Sequence, residues 1–462
     1  MRLPNGFRTH LRKPDVTDFS FFDQLGHRAH GFFNRRVGIQ ANAAFSYLRG
    51  CIIFFSPRNM TNTSISLLEK FLGRFFCTLL SVVRKARTLV TKEGKVNSPT
   101  QKIVFVKFIE QGALVLHQNT FKEAAAKYGS ANIYICTFAS NTQMVDLLGI
   151  FPPANQIGIN EKSLWLFTKG FAQALIRIRK NRIDTAVDLE FFSCATAIFC
   201  YLTGAARRAG YHRFKGAQNY RGDLFTHKLS YSHYVHVADS GWCLLKSLEL
   251  PVENLPALNI PLSNAQTEIS FHPNQQDLAR FNALVGSEVE TLQPIIVINP
   301  SLNDVLPLRK WPTSYFIDCL EKIKEHYPNH SFVFTGRADE WEKTDRLIQV
   351  SQLPQAINLC GKTEFRDLLT LYSHSQLLLT SDSGPAHFAA MTSVDTIVLF
   401  GPETPALYSP LSARTHVIYN ALPCSPCYNV YNNRLSSCQN NLCMQTISVD
   451  QVMQTVSRIF YD

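Results

Sequence analysis

The sequence predicts an α/β chain of two doubly wound domains, each a parallel sheet wrapped by helices, preceded by a basic extension. Three observations carry this reading. From Lys102 onward, apolar runs of four to six residues alternate with helix-length amphipathic stretches, the pattern of parallel strands joined by crossover helices. The series occurs twice, interrupted at about residues 251–293 by a passage rich in proline and asparagine. The charge is also lopsided: residues 1–100 hold 16 Lys/Arg against 5 Asp/Glu, a surplus of 11 that equals that of all 462 residues. The body is therefore neutral, with 30 residues of each sign, and the extension is where an anionic surface would be met.

In chain order, residues 1–100 form the extension and lack clear periodicity until about Ser64. The stretch "FLGRFFCTLLSVV", Phe71 to Val83, is too short to span a bilayer and contains Arg74. Two readings stay open for it: an amphipathic helix lying on a membrane, and a helix packed on the body. Met1 leads into a polar, charged stretch, so no signal peptide is expected. The linker "TKEGKVNSPTQ" then gives a boundary near residue 100, with a first domain at 101–265 and a second at 290–462. Strands "KIVFVKF", "ANIYICTF" and "DTAVDLE" open the first domain; "PIIVINP", "SFVFTG", "QLLLTSD" and "DTIVLFG" build the second. Ligands are expected in a cleft at the carboxyl ends of these strands.

Eight of the twelve cysteines are scattered through apolar segments and read as buried thiols. The other four crowd at Cys424, Cys427, Cys438 and Cys443, with spacing that suits a structural clip or packed thiols better than a catalytic metal.

The chemistry concentrates in "LLLTSDSGPAHFAAMTSVDTIVLFGPETPALYSPL", Leu377 to Leu411. A strand ends there in Thr380-Ser381-Asp382-Ser383-Gly384-Pro385, and Pro385 suits the first turn of a helix. Free N–H groups at that turn would receive an anion, Gly384 would allow close approach, and Ser383 and His387 could reach the same group. The plainer readings are helix caps for Asp382 and Ser383 and a core histidine for His387.

This block, with "NPSLNDVLPLRKWPTSYF", "RIDTAVDLEFFSCATAIFCYLTGAARRAGY" and the cysteine-bearing tail, resembles the ADP-heptose:lipopolysaccharide heptosyltransferases of glycosyltransferase family nine. The resemblance runs from about Lys102 to the C-terminus and leaves residues 1–100 unmatched. It implies a GT-B fold, two Rossmann-like domains facing across a cleft, the first holding the acceptor and the second the nucleotide sugar. It implies inverting, metal-independent transfer of a heptose or similar sugar from an ADP-sugar to a lipopolysaccharide-core glycolipid, with no cofactor. Carried onto this sequence, the donor site is Asp382, Ser383, Gly384 and His387 at the diphosphate. Arg309, with Lys310 beside it, is the phosphate-binding cation, and Glu340, with Asp339 next to it, meets the ribose. A solvated carboxylate at a helix start is the plainer reading of Glu340.

The sequence departs from the family at the base. In "VKFIEQGALVL" the pair aligned with the family's Gly-Asp is Gly112-Ala113, and alanine cannot take a proton. Glu110, two residues before the glycine, is the expected general base, with His117 as fallback. The competing reading is a noncatalytic nucleotide-sugar-binding scaffold of the same fold. Expected partners are the nucleotide sugar, the glycolipid and an anionic membrane surface. No nucleic acid is expected, since the chain has no recognisable module for it. The expected location is cytoplasmic, with peripheral contact to the inner membrane.

Overall fold

The computed structural model describes residues 72–91, 99–214, 220–256, 262–263, 266–268, 270–286, 291, 294–302, 307–353, 356–428 and 436–461, all within the second of the chain's two compact units, Ser46–Asp462. The basic extension up to residue 71 and the linker at 92–98 lie outside the described residues.

The strands are β1 (Ile103–Val106), β2 (Ile133–Phe138), β3 (Gln156–Ile159), β4 (Thr185–Asp188), β5 (Arg207–Tyr211), β6 (His227–Leu229), β7 (Ile295–Asn299), β8 (Ser331–Phe334), β9 (Ile357–Asn358), β10 (Leu377–Ser381), β11 (Asp395–Phe400) and β12 (Thr415–Tyr419). They form two six-stranded parallel sheets with the orders β3-β2-β1-β4-β5-β6 and β12-β11-β10-β7-β8-β9. Each lobe thus repeats the doubly wound order, with its switch point between β1 and β4 or between β7 and β10. Aliphatic residues make the central strands because both faces are covered: every residue of β1, β4, β7 and β10 is buried.

The helices are α1 (Arg74–Thr91), α2 (Gln111–Leu116), α3 (Gln118–Tyr128), α4 (Thr142–Leu148), α5 (Leu164–Lys180), α6 (Cys194–Leu202), α7 (Val237–Ser247), α8 (Gln275–Val285), α9 (Thr313–His326), α10 (Trp341–Val350), α11 (Phe365–Ser373), α12 (Gly384–Ala389), α13 (Pro405–Tyr408), α14 (Leu442–Gln445) and α15 (Val449–Tyr461). Their starts follow local chemistry. Ser163 and Ser193 cap α5 and α6 by accepting the Leu166 and Thr196 N–H groups, and Asn274 with Asp277 forms a reciprocal cap on α8.

Three apolar clusters hold the molecule together. One fills the outer face of each sheet. The third joins the lobes, running from Leu114 and Phe121 to Ala386, Phe388 and Met391. Backbone bonds reinforce this seam: the Ser270 and Phe271 N–H groups both donate to the Met391 carbonyl at 3.1 Å.

On the outer face of the first sheet lie α5, which follows β3, and α6, which follows β4, as right-handed crossovers require. Among the described residues no helix connects β5 to β6, and α1 fills that position from the N-terminal side. Its Cys77 is fully buried beside Cys194, Ser81 accepts the Asp223 N–H at 2.6 Å, and Arg84 pairs with the Asp223 carboxylate at 2.9 Å. Gly222 is required under this helix: it has φ +74, and a Cβ there would stand 2.6 Å from the Cys77 carbonyl oxygen. The packed-helix reading of the Phe71–Val83 stretch therefore describes one side of α1; its other side is taken up below.

Candidate active site

The two switch points converge across the seam, because α2, which leaves β1, packs against α12, which leaves β10. In the first lobe, a chain of buried charges lies below the exit of β1. Arg221 pairs with Asp188, both fully buried, and donates to the Glu190 and Phe191 carbonyls at 2.9 and 2.7 Å. Asp188 accepts the Glu190 N–H at 3.0 Å. One Glu190 oxygen accepts the Phe108 and Ile109 N–H groups at 3.0 and 2.9 Å and so pins the turn after β1. The other meets the Lys107 ammonium at 3.0 Å, which reaches Glu110 at 3.2 Å.

Burial works against the Lys107 charge, but Glu190 and then Glu110 outweigh it and raise its pKa above the ordinary lysine value. The row of alternating charges ends at Glu110, the most exposed member at 31%. Its left-handed backbone, φ 63, turns the chain from β1 into α2. Ala113, where the resemblance implies an aspartate, is buried in α2.

In the second lobe, Arg309 is the hub. Its guanidinium donates to the Asp382 carbonyl at 2.9 Å and contacts the Asp382 and Glu403 carboxylates at 3.4 and 3.1 Å. Ser383 begins α12 without a side-chain cap; its hydroxyl lies 3.2 Å from that of Thr380. Gly384 and Pro385 form the first turn. With only six residues, α12 supplies little macrodipole, so an anion there would depend on Arg309, Ser383 and local N–H groups.

His387 is buried, and its ring lies against Gly112 of the other lobe, where a Cβ would stand 2.6 Å from its Cδ2. Burial, then His236 and Arg309, push its pKa down to about 4, against the pull of Glu110. His117 is seated in the same way on Gly241; burial, then Lys107 and His236, lower it to about 3. Both rings are therefore neutral at physiological pH. His117, with 1% exposure, makes a poor fallback base.

Glu110, His387, Arg309, Asp382, Ser383 and Gly384 thus form one neighbourhood built from both lobes. Glu340 lies beyond the end of β8, and it is buried where a solvated carboxylate was the plainer reading. It accepts the Arg337 N–H at 2.7 Å and caps the turn before α10. Lys310 offers its carbonyl to Asn441 at 2.8 Å, bracing the Arg309 turn. Lys107, Asp188, Glu190 and Glu403 were legible only as charges at the ends of apolar strands, in "VFVKF", "TAVDLE" and "FGPET"; Arg221, in a loop, gave no such signal.

The cysteine tail docks on the Glu403 loop, with the Cys427 and Tyr428 N–H groups donating to the Pro402 carbonyl at 2.9 and 2.8 Å. All described cysteines are free thiols, and among the described residues no group of three or more His, Cys, Asp or Glu is arranged to hold a metal ion.

Comparison with known proteins decides the family. Residues 173–436 match the model of glycosyltransferase family 9 (heptosyltransferase), more than half of the chain. The chain belongs to this family. Lipopolysaccharide heptosyltransferase 3 of Escherichia coli is 25% identical over 311 residues, 65% of this chain and 84% of that protein. Lipooligosaccharide heptosyltransferase 2 of Campylobacter jejuni is 23% identical over 154 residues, and the chain spans about half the length of that relative, 47%. Among solved structures, E. coli ADP-heptose lps heptosyltransferase II superposes with a TM-score of 0.58 at 16% identity, over 78% of this chain and 98% of that one. The family 9 glycosyl transferase of Veillonella parvula gives 0.59 at 18% identity, over 78% and 97%. The fold of this family 9 member is GT-B, as the two doubly wound sheets and the superposition on E. coli heptosyltransferase II indicate.

Proposed function

We propose that this family 9 protein is an inverting glycosyltransferase that moves a heptose, or a similar sugar, from an ADP-sugar to a hydroxyl of a lipopolysaccharide-core glycolipid. The observation that carries the proposal is the convergence of Glu110, from the first lobe, with Arg309 and His387, from the second. A base and a phosphate-binding cation on opposite walls are what in-line displacement at a sugar carbon needs.

In this reading the acceptor hydroxyl gives its proton to Glu110 as its oxygen bonds to the anomeric carbon. The bond from that carbon to the diphosphate breaks with its electron pair, and ADP departs. Arg309, Ser383 and the N–H groups at Gly384 receive the charge, with no metal required, and Glu340 meets the ribose. The buried Lys107–Glu190 pair holds Glu110 in position. The reaction takes place on the cytoplasmic side of the inner membrane, where a glycolipid acceptor is embedded.

Two measurements test this. ADP-sugars at about 100 times their dissociation constant should stabilise the protein by roughly 2.7 kcal/mol, read as a higher melting temperature, and Asp382→Ala should abolish the shift. Glu110→Gln should keep the shift but lose about 100-fold or more in ADP release with acceptor present. Undiminished turnover in that variant would remove Glu110 from the mechanism. Donor binding without any turnover in the wild type would favour the noncatalytic scaffold, the reading that buried Ala113 supports.

A further inference from the structure

The side of α1 turned away from the sheet is apolar and exposed. Phe75, Phe76, Leu79, Val82 and Val83 are each between 42 and 60% accessible, whereas large apolar side chains of a packed helix are ordinarily covered. A second helix of the same layer does likewise: on α5, Leu164, Trp165 and Ile176 are exposed, Trp165 at 74%. Between them lies α6, touching α1 through Cys194 and α5 through the Phe171–Phe199 ring pair, so the three helices form one sheet-covering layer.

The charge of this layer is one-sided. Residues 74–91 carry Arg74, Lys85 and Arg87 besides the Arg84 that pairs with Asp223, and no carboxylate; residues 162–182 carry six Lys/Arg and no carboxylate.

We propose that the outer face of the α1–α6–α5 layer docks on an anionic lipid bilayer. Apolar side chains flanked by cations, with an exposed tryptophan, are what binding at a lipid headgroup boundary requires. Charge selects this occupant over the alternatives. A second copy would set cations against cations. Residues 1–71 carry 10 Lys/Arg against 4 Asp/Glu and would meet the same repulsion.

The geometry also suits the glycolipid acceptor proposed above, on which this inference rests for its purpose though not for its test. The first turns of α1 and α6 adjoin, Gly73 lying against Cys194, and α5 and α6 both start at the carboxyl ends of strands. Phe75, Phe76, Leu164 and Trp165 therefore stand at the end of the lobe where Glu110 lies. A bilayer meeting these residues would present its headgroup sugars towards the cleft.

The test uses the full chain with vesicles of phosphatidylcholine alone and of phosphatidylcholine with phosphatidylglycerol. Cosedimentation is expected only with the anionic vesicles and should fall as salt is raised. Phe75→Glu/Val82→Glu on α1 and Trp165→Glu on α5 should each weaken partitioning by roughly tenfold or more, since each moves exposed apolar surface out of the lipid boundary. All three sites are exposed, so fold and donor-induced melting shift should be retained, which separates this inference from the enzymatic one. Undiminished cosedimentation of both variants, or no binding of the wild type to anionic vesicles, would overturn the proposal. So would a wild-type dimer in sedimentation velocity that Val82→Glu converts to monomer, because a second copy would then cover the face.

Discussion

Gly112 and Gly241 each lie against a histidine ring, and the cost of a side chain at either can be read directly. Gly112→Ala would drive a methyl group into His387 and should cost roughly 1–3 kcal/mol in thermal unfolding. Pairing it with His387→Ala should recover much of that loss, a coupling that a merely helical effect of alanine would not produce. The same histidines set an acid limit. His387 and His117, at about 4 and 3 when folded, take up protons near 6.5 once unfolded, so unfolding binds protons between those values. Stability should therefore be flat above about pH 6.5 and fall on acidification, approaching roughly 2.7 kcal/mol per pH unit near pH 5 for the two rings. Replacing His117 with phenylalanine should remove that ring's share, about 1.4 kcal/mol per pH unit, from the slope of unfolding free energy against pH. The sequence marked Gly112 only as a turn glycine beside a missing aspartate. Its real neighbour is 275 positions away in the other lobe, and no local pattern encodes such a contact.

At the scale of elements, strands were legible because burial on both faces forces aliphatic runs, and the residues just past them were legible because ligands gather where parallel strands end. The Leu377–Leu411 stretch gave strand, turn and helix in order, although α12, at six residues, adds little macrodipole to its free N–H groups. The partners of these residues were not legible. Arg309 was read as a phosphate-binding cation, and its two nearly buried carboxylate partners gave no signal in the sequence. Arg309→Ala would leave Asp382 and Glu403 facing each other uncompensated and should cost about 3–5 kcal/mol as well as donor binding. Arg309→Met with Glu403→Gln should regain stability in denaturant titrations and still fail to show the ADP-sugar shift. That result would separate the structural role of the guanidinium from its role towards the donor. Glu340 teaches the reverse lesson: its position after the second strand of its lobe was readable, whereas its burial and its cap on Arg337 depend on a turn whose shape only the folded chain reveals.

For the whole molecule, two equal sheets share one apolar cluster across the seam, so the lobes are expected to unfold together, with coincident transitions by fluorescence and circular dichroism. The place of α1 was not visible in the sequence. A helix from the stretch read as an extension completes the first lobe where, among the described residues, no crossover helix joins β5 to β6. Removing residues 1–91 would thus do more than release a membrane arm. It should lower stability by roughly 2–5 kcal/mol through the lost burial of Cys77 and its neighbours, measurable by thermal unfolding even without lipid. The arrangement also has a consequence in time. The seat of α1 is made by residues 194–223, so during synthesis the helix leaves the ribosome roughly a hundred residues before its place exists. At 5–20 residues per second that interval is on the order of 5–20 s. For its duration a helix that carries four cations and a row of large apolar side chains has no protein to cover it, and any lipid surface nearby would meet it before its own fold does.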